Sequence, residues 1–210
     1  AKILEHLENA LSAAIGLTGA TAPRDRPRSW MRRAQVRLAW QPPRLGEATA
    51  DADAALELDG RNPKVRGVHA EAHLLMSRTQ DLREARIDHL KKAMESAELA
   101  VRALRATEGE QPTAETPPKE PAPSSALAGQ RELPGYMLTL SMARLEYANF
   151  ASDNRQQYLD EAAKLAHDAA RLIGQNDPRG ATTYMALGNA CEDLAWAAEQ
   201  EPEKFYPEAI

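Results

Sequence analysis

The feature that most constrains the fold is a spacing of small and apolar residues that recurs along the chain. A small residue is followed by apolar residues four and seven positions later at three places: Ala48, Ala52 and Ala55; Ala93, Ala97 and Ala100; and Ala166, Ala170 and Ile173. Steps of four and three place side chains on one face of an α-helix. The abundance of small alanines favours closely packed helices over a sheet sandwich, so the chain is predicted to be all-α.

The three copies are nearly evenly spaced. The first two begin 45 residues apart, at Ala48 and Ala93. The third begins 73 residues after the second, or 46 when the 27 residues from Thr107 to Leu133 are left out. Nearly equal intervals favour duplication of a helical unit over coincidence. An alternative third copy, with an interval of 42, is formed by Ala162, Ala166 and Ala169.

Apolar periodicity, with Pro and Gly as breaks, divides the chain into helices. The predicted helices are 1–17, 30–40, 47–58, 64–78, 82–106, 134–151, 154–174 and one that ends at Ala198. The first is predicted to bury a face with Ile3 and Leu7 and to expose Glu8. Pro23 and Pro27 are expected to keep 18–28 in a loop, and Pro134 suits a first helical turn.

Residues 107–133 interrupt the helical pattern. Five prolines stand among Glu, Ser and Thr, with almost nothing to bury. This composition predicts an exposed, acidic, Pro-rich loop, which is favoured as a surface insertion over a binding segment. The predicted organisation is therefore helical hairpins in 1–106, the loop in 107–133, and further hairpins in 134–210 that continue the first set.

A second pattern lies between Asp177 and Ala198. Tyr184, Leu187 and Cys191 share one helical stripe, and Gly188 lies beside Leu187. A glycine inside a helix costs about 1 kcal/mol relative to alanine. We therefore expect a neighbouring helix backbone to approach Gly188 closely.

These residues resemble the first helix of a tetratricopeptide repeat (TPR), in which a large residue, Leu-Gly and another large residue recur at this spacing. Asp177-Pro178 resembles the turn that ends the preceding repeat, and 55–63 resembles a repeat end. The resemblance implies a right-handed α-α superhelix, a TPR-like solenoid of antiparallel helix pairs. Since the interval near 45 exceeds the roughly 34 residues of a TPR, lengthened helices are expected.

The TPR resemblance also implies a function. It predicts a noncatalytic scaffold that binds a partner protein or peptide in a concave groove lined by the first helices, as the TPR region of a larger signalling protein. The groove residues that it implies are Thr182, Met185, Asn189 and Glu192. Met185 stands where TPRs of the carboxylate-clamp type carry lysine, so binding of chaperone tails is not expected.

A basic segment near the N-terminus offers a second candidate surface. Residues 24–44 hold seven arginines, one acid and two tryptophans. Such a patch suits an acidic peptide, a phosphate or nucleic acid. A solvated turn and helix face is the favoured interpretation, and an acidic protein partner is the next. The predicted partner contacts are Arg32, Arg33 and Arg37, and the net charge of -5 makes nucleic acid a weaker alternative.

Candidate catalytic and metal-binding residues are few. His69 and His73 have the spacing of a two-His metal site, but no third ligand is indicated, and a solvated or half-buried pair is expected. We predict no metal, cofactor or catalytic residues, with an all-helical metal-dependent enzyme as the alternative. Cys191, the single cysteine, is interpreted as a buried thiol.

Localisation follows from what the sequence does not contain. It shows neither a leader nor an apolar run near 18 residues, so no membrane contact and a cytoplasmic location are expected. The helical pattern begins without a start signal, which suggests an excerpt of a longer protein.

Overall fold

The computed structural model describes residues 2–17, 26–109 and 124–173, together with Gly188 and Glu192. The helices are α1 (Lys2–Leu17), α2 (Arg26–Leu38), α3 (Leu45–Asp59), α4 (Pro63–Ser77), α5 (Arg83–Gly109), α6 (Ser124–Ala148) and α7 (Arg155–Leu172). No strand occurs in these ranges. The prediction of an all-α fold is confirmed for the described part of the chain.

The chain divides into two compact units, Ala1–Pro117 (unit 1) and Pro118–Ile210 (unit 2). In unit 1, each helix from α1 to α5 packs against the next one in sequence, and α2 also contacts α4. In unit 2, α6 packs against α7. Each unit is described below by itself.

The alanine stripes of α3 and α5 are fully buried. Ala48, Ala52 and Ala55 of α3 and Ala93, Ala97 and Ala100 of α5 are at most 1% exposed. In α7 the fully buried set is Ala162, Ala166 and Ala169, whereas Ala170 is only half-buried. The alternative third copy is therefore the one that faces the neighbouring helix.

The core of unit 1 lies where α2, α3 and α4 meet. Its buried side chains are Met31, Ala34, Ala52, Ala55, Val65, Val68 and Ala72, and the larger Trp30, Leu38 and Leu56 pack at its edge. The N-terminus of α4 is fixed by Asn62, whose Oδ1 accepts a hydrogen bond of 3.0 Å from the backbone N–H of Lys64. Pro63 follows as the first helical residue, where its missing N–H has no cost. This cap sets where the residues of α4 lie in the core.

In unit 2 a polar bond joins the two helices across their buried face. The hydroxyl of Ser141, on α6, donates a hydrogen bond of 2.7 Å to the backbone carbonyl of Ala162, on α7. Arg144 and Glu161 form an ion pair of 2.7 Å nearby. Leu145 and Tyr158 pack against the buried pair Ala148 and Leu159. The predicted antiparallel neighbours thus share one core.

The orientation of α1 differs from the prediction. Ile3 and Leu7 are 77% and 47% exposed, and Glu8 is 8% exposed. Glu8 is buried because its carboxylate pairs with Arg37 at 3.0 Å and with Arg44 at 3.2 Å. The ion pairs hold Glu8 against α2, while Lys2 and Glu5 of the same helix stay exposed.

The predicted boundaries fail at two prolines. Pro27 lies in the first turn of α2, although it was expected to keep that segment in a loop. Pro134 lies inside α6, which begins at Ser124 rather than at Pro134. Since α5 also runs to Gly109, the predicted loop 107–133 is wrong at both ends; residues 110–123 lie outside the described ranges. Leu133, predicted to lie at the end of the loop, is 1% exposed and belongs to the core.

None of the helices in the described part of the chain combines the length and the apolarity needed to cross a lipid bilayer.

Candidate functional site

Helix α4 carries two histidines on its enclosed side. His69 and His73 lie one turn apart and are 4% and 1% exposed. They are enclosed because α4 packs against α2, α3 and α5. The prediction of a solvated or half-buried pair is therefore wrong. Burying two imidazoles requires polar partners for their ring nitrogens.

The partner of both histidines is Asp53, on α3. Its Oδ1 lies 3.0 Å from Nε2 of His69 and 3.0 Å from Nε2 of His73. The side chain of Asp53 is 50% exposed, so the carboxylate lies between the buried rings and solvent. Asp53 is the third group that sequence analysis did not find. It stands among several acids on α3, and nothing in their spacing distinguishes it.

The other nitrogen of each ring is held by α5. Nδ1 of His69 lies 2.9 Å from the hydroxyl of Ser96, and Nδ1 of His73 lies 2.7 Å from Nδ1 of His89. The rings of His69 and His73 are 4.3 Å apart between centroids, and those of His73 and His89 are 5.0 Å apart. We call Asp53, His69, His73, His89 and Ser96 the histidine cluster. Two helices, α3 and α5, thus hold both rings of α4 from opposite sides.

Burial keeps the imidazoles of the cluster neutral. Desolvation, with the neighbouring His73 next in importance, lowers the pKa of His69 from 6.5 to about 4. Desolvation likewise lowers the pKa of His73 and of His89. Partial burial pushes the pKa of Asp53 up, but hydrogen bonds and charge from His73 and His69 outweigh it and leave that pKa below its usual value. Near neutral pH the cluster therefore combines neutral imidazoles with an ionised carboxylate.

This arrangement has a defined chemical capacity. The ligand atoms of Asp53, His69 and His73 all lie within 4.8 Å of one another, which makes them the candidate metal-binding group within the described residues. Imidazole nitrogen and carboxylate oxygen are donors for first-row transition metals. The same contacts also form a connected hydrogen-bond chain.

Two arginines of α2, Arg33 and Arg37, do not lie on the predicted solvated face, whereas Arg28 and Arg32 do. Arg33 and Arg37 have side chains 13% exposed, and each places a guanidinium nitrogen 2.8 Å from Asp51, which is 2% exposed. Arg33 donates through both Nε and Nη2, a bidentate contact, and hydrogen bonding to Asp51 raises its pKa despite desolvation. Their role in binding a partner stays a prediction, but their guanidinium groups already pair with acids within unit 1.

Arg32 lies on a different face of α2, which is open to solvent. Together with Arg28 and Gln35 it forms an exposed stripe at steps of four and three. An exposed stripe on α4 and its C-cap contains Lys64, Glu71 and Arg78, at steps of seven. We call these residues the α2 stripe and the α4 stripe. Both run along predicted first helices of the hairpins.

Most of the predicted groove residues near the C-terminus cannot be placed. Thr182, Met185 and Asn189 lie outside the described residues, as do Tyr184, Leu187 and Cys191. Glu192 is helical and exposed, and as a binding residue it stays a prediction. Gly188 is also helical and exposed, and a Cβ added there would meet no described neighbour within 4 Å. Among the described residues, no helix backbone makes the expected close approach to Gly188.

No protein-family model, curated protein or solved structure matches the chain. The resemblance to the TPR therefore depends on the quoted residues alone.

Proposed function

We propose that this protein is a noncatalytic helical-repeat scaffold that binds an acidic protein or peptide partner across the α2 and α4 stripes. The observation that carries the proposal is the contact of α2 with both α3 and α4. In stacked helix pairs the first helix of one pair lies beside the first helix of the next. The contact between α2 and α4 supports this arrangement.

The contacts within unit 1 also argue against a closed bundle. Four helices that close around one centre bring the first and the last together. Among the described residues of unit 1, α5 contacts α4 but not α2. The set from α2 to α5 is thus open on one side, as a TPR-like solenoid of helix pairs requires.

We infer that the two stripes lie on one side of unit 1, because α2 and α4 contact each other and both pack against α3. The α2 stripe contributes two positive charges from Arg28 and Arg32, and Lys64 and Arg78 flank Glu71 on the α4 stripe. An acidic segment of a partner complements this surface, because opposite charge steers association and fixes orientation.

Glu71 is the acidic member of this surface. Its side chain is exposed, and desolvation by nearby protein raises the pKa of its carboxyl.

The proposal extends to the context of the chain. A noncatalytic binding scaffold of this kind suits a cytoplasmic location and a place within a larger signalling protein. The predicted groove residues Thr182, Met185, Asn189 and Glu192 belong to the same proposal for the C-terminal hairpins.

The test is selection of peptides from a random display library on the purified chain, followed by fluorescence anisotropy with the selected peptides. We expect enrichment of Asp and Glu. The double variant Arg28→Glu/Arg32→Glu should weaken binding at least about tenfold, which corresponds to about 1.4 kcal/mol. The matched control is Arg61→Glu/Lys91→Glu, which makes the same change in net charge at exposed positions outside the stripes.

The control should change affinity less than about twofold. Equal weakening in both variants would mean that only net charge matters, and a library that yields no binding peptide would leave the scaffold without a ligand. Either result overturns the proposal. A salt titration with single-stranded and duplex oligonucleotides tests nucleic acid as the alternative, since phosphate contacts weaken steeply with added salt.

A further inference from the structure

We propose that Asp53, His69 and His73 bind a divalent first-row transition-metal ion such as Zn²⁺. The proposal goes beyond partner binding, since the ligand atoms lie on the enclosed side of α4, away from the α4 stripe. Its starting point is the convergence of two buried imidazole nitrogens on one carboxylate oxygen that remains accessible to solvent.

The two distances to the Asp53 oxygen suit such an ion, and the three ligand atoms all lie within 4.8 Å of one another. Each Nε2 lies 3.0 Å from Oδ1 of Asp53. With bonds of about 2.1 Å, adjacent ligands are about 3.0 Å apart around an octahedral ion and about 3.4 Å apart around a tetrahedral one. Two histidines and one carboxylate on one face leave the other coordination positions open. The half-exposed side of Asp53 gives an ion and its water ligands a route from solvent.

The second nitrogens of the two rings add an independent argument. Metal-binding histidines usually have their other ring nitrogen hydrogen-bonded, which fixes the tautomer and the ring orientation. Here Ser96 contacts Nδ1 of His69 at 2.9 Å, and His89 contacts Nδ1 of His73 at 2.7 Å. Both rings are therefore fixed with Nε2 directed to the same point. Ser96 itself is only 3% exposed, so its hydroxyl is committed to this contact.

The hydrogen bonds can accommodate both the free and the metal-bound state. Without an ion, each Nε2–H donates to Asp53, and each Nδ1 accepts, from the Ser96 hydroxyl or from the Nδ1–H of His89. With an ion, the Nε2 lone pairs bind it, and the ring protons of His69 and His73 move to Nδ1. Nδ1–H of His69 then donates to Ser96, and Nδ1–H of His73 donates to His89, whose proton moves to Nε2. Each imidazole carries one proton before and after.

The first test is isothermal titration of the EDTA-treated full chain with Zn²⁺, and with Co²⁺ for its visible absorption. We expect one ion per chain. Asp53→Asn keeps the shape of the side chain and should weaken binding at least about 100-fold. The control His6→Ala/His167→Ala removes the two remaining histidines and should bind like wild type. Absence of stoichiometric binding to wild type, unchanged affinity in Asp53→Asn, or loss of binding in the control overturns the proposal.

The second test separates a metal site from a purely structural hydrogen-bond network. Imidazole ¹⁵N NMR should show His69 and His73 change from the Nε2–H to the Nδ1–H tautomer when Zn²⁺ is added. Ser96→Ala should weaken metal binding about 10- to 100-fold, the range for loss of such an outer hydrogen bond. Unchanged tautomers, or full Zn²⁺ affinity in Ser96→Ala, contradicts the proposed role of these groups.

Discussion

Asp51 is the residue on which the internal charge balance of unit 1 depends. It is 2% exposed and accepts from both Arg33 and Arg37 at 2.8 Å. Removing one partner of a buried ion pair leaves the other charge uncompensated, which is costlier than losing an exposed pair. If Asp51 is removed, the hydrogen bond left to Arg33 among the described residues is the one to the Ser12 hydroxyl, at 3.1 Å.

We therefore predict that Asp51→Ala lowers the free energy of unfolding by about 3 kcal/mol. The comparison is Glu98→Ala, which removes an exposed helical pair with Arg102 of 2.9 Å and should cost at most about 0.5 kcal/mol. Urea unfolding followed by circular dichroism measures both. Similarly small losses of unfolding free energy in both variants would show that the buried ion pair stabilises the fold no more than a surface pair does.

The histidine cluster predicts a second residue-scale effect, on pH dependence. The pKa of His69 falls from 6.5 to about 4 on folding. Between these values the unfolded chain binds more protons than the folded one, so stability is greatest above pH 6.5 and falls as the pH is lowered toward 4. The shift in His69 corresponds to a loss of about 3 kcal/mol, and His73 and His89 act in the same direction.

This prediction is tested by urea unfolding of EDTA-treated protein at several pH values between 7.5 and 4.5. His69→Gln should show a shallower decline with falling pH than wild type, although it begins from lower stability. His6→Ala/His167→Ala should keep the wild-type slope. A wild-type stability that does not change across this window would contradict the neutral, buried state of His69.

Outside α1, the residues that sequence analysis placed well are mainly apolar. The three stripe residues predicted on α5, Ala93, Ala97 and Ala100, are all buried. The acids that pair across helices were missed. Glu8, Asp51 and Asp53 belong to a residue class that is mostly exposed, and each acquires its role from a partner on another helix. Such pairing depends on tertiary contacts, which periodicity within one helix does not reveal.

At the scale of the element, α4 depends on how it begins. Asn62 caps the helix through its bond to the N–H of Lys64, and its side-chain amide also donates to Asp59 at 3.0 Å. Because α4 carries both the histidines and the α4 stripe, this cap sets the register of both surfaces. The Asn-Pro pair at the start was recognisable from the sequence, since it combines a capping side chain with a first-turn proline.

We predict that Asn62→Ala lowers the free energy of unfolding by about 1 kcal/mol, the usual cost of a lost N-cap. Asn9→Ala, at an exposed position within α1, should be neutral or slightly stabilising, because alanine has the higher helix propensity. Thermal and urea unfolding of the two variants provide the comparison. Equal effects would mean that the cap does not stabilise α4.

The rule that proline marks the start of a helix or a loop also explains why two other helix boundaries were mispredicted. Pro27 and Pro134 were taken as markers of a loop and of a helix start, but Pro27 lies in the first turn of α2 and Pro134 lies inside α6. A proline in the interior removes one backbone hydrogen bond and crowds the preceding turn. In α6 that cost is set against burial of Leu133 and Met137 on the two sides of the proline. Rules based on local sequence do not take into account the free energy of this packing.

At the scale of the whole molecule, the ion pairs, the core cluster and the histidine cluster all lie within unit 1. The ion pairs of Glu8 and Asp51 join α1, α2 and α3, the core cluster joins α2, α3 and α4, and the histidine cluster joins α3, α4 and α5. Each set of contacts shares a helix with the next. Unit 1 therefore has the interactions that a separately folding domain needs.

We predict that a fragment of unit 1, Ala1–Pro117, folds by itself, with helical circular dichroism and one cooperative unfolding transition. A shorter fragment that ends at Asp81 lacks α5, and with it the alanine stripe, Ser96 and His89. It should lose cooperative unfolding, because α4 would then expose its buried face and leave both histidines without their outer hydrogen bonds. If both fragments unfold without cooperativity, unit 1 depends on the rest of the chain; if both unfold cooperatively, α5 is not the helix that completes this core.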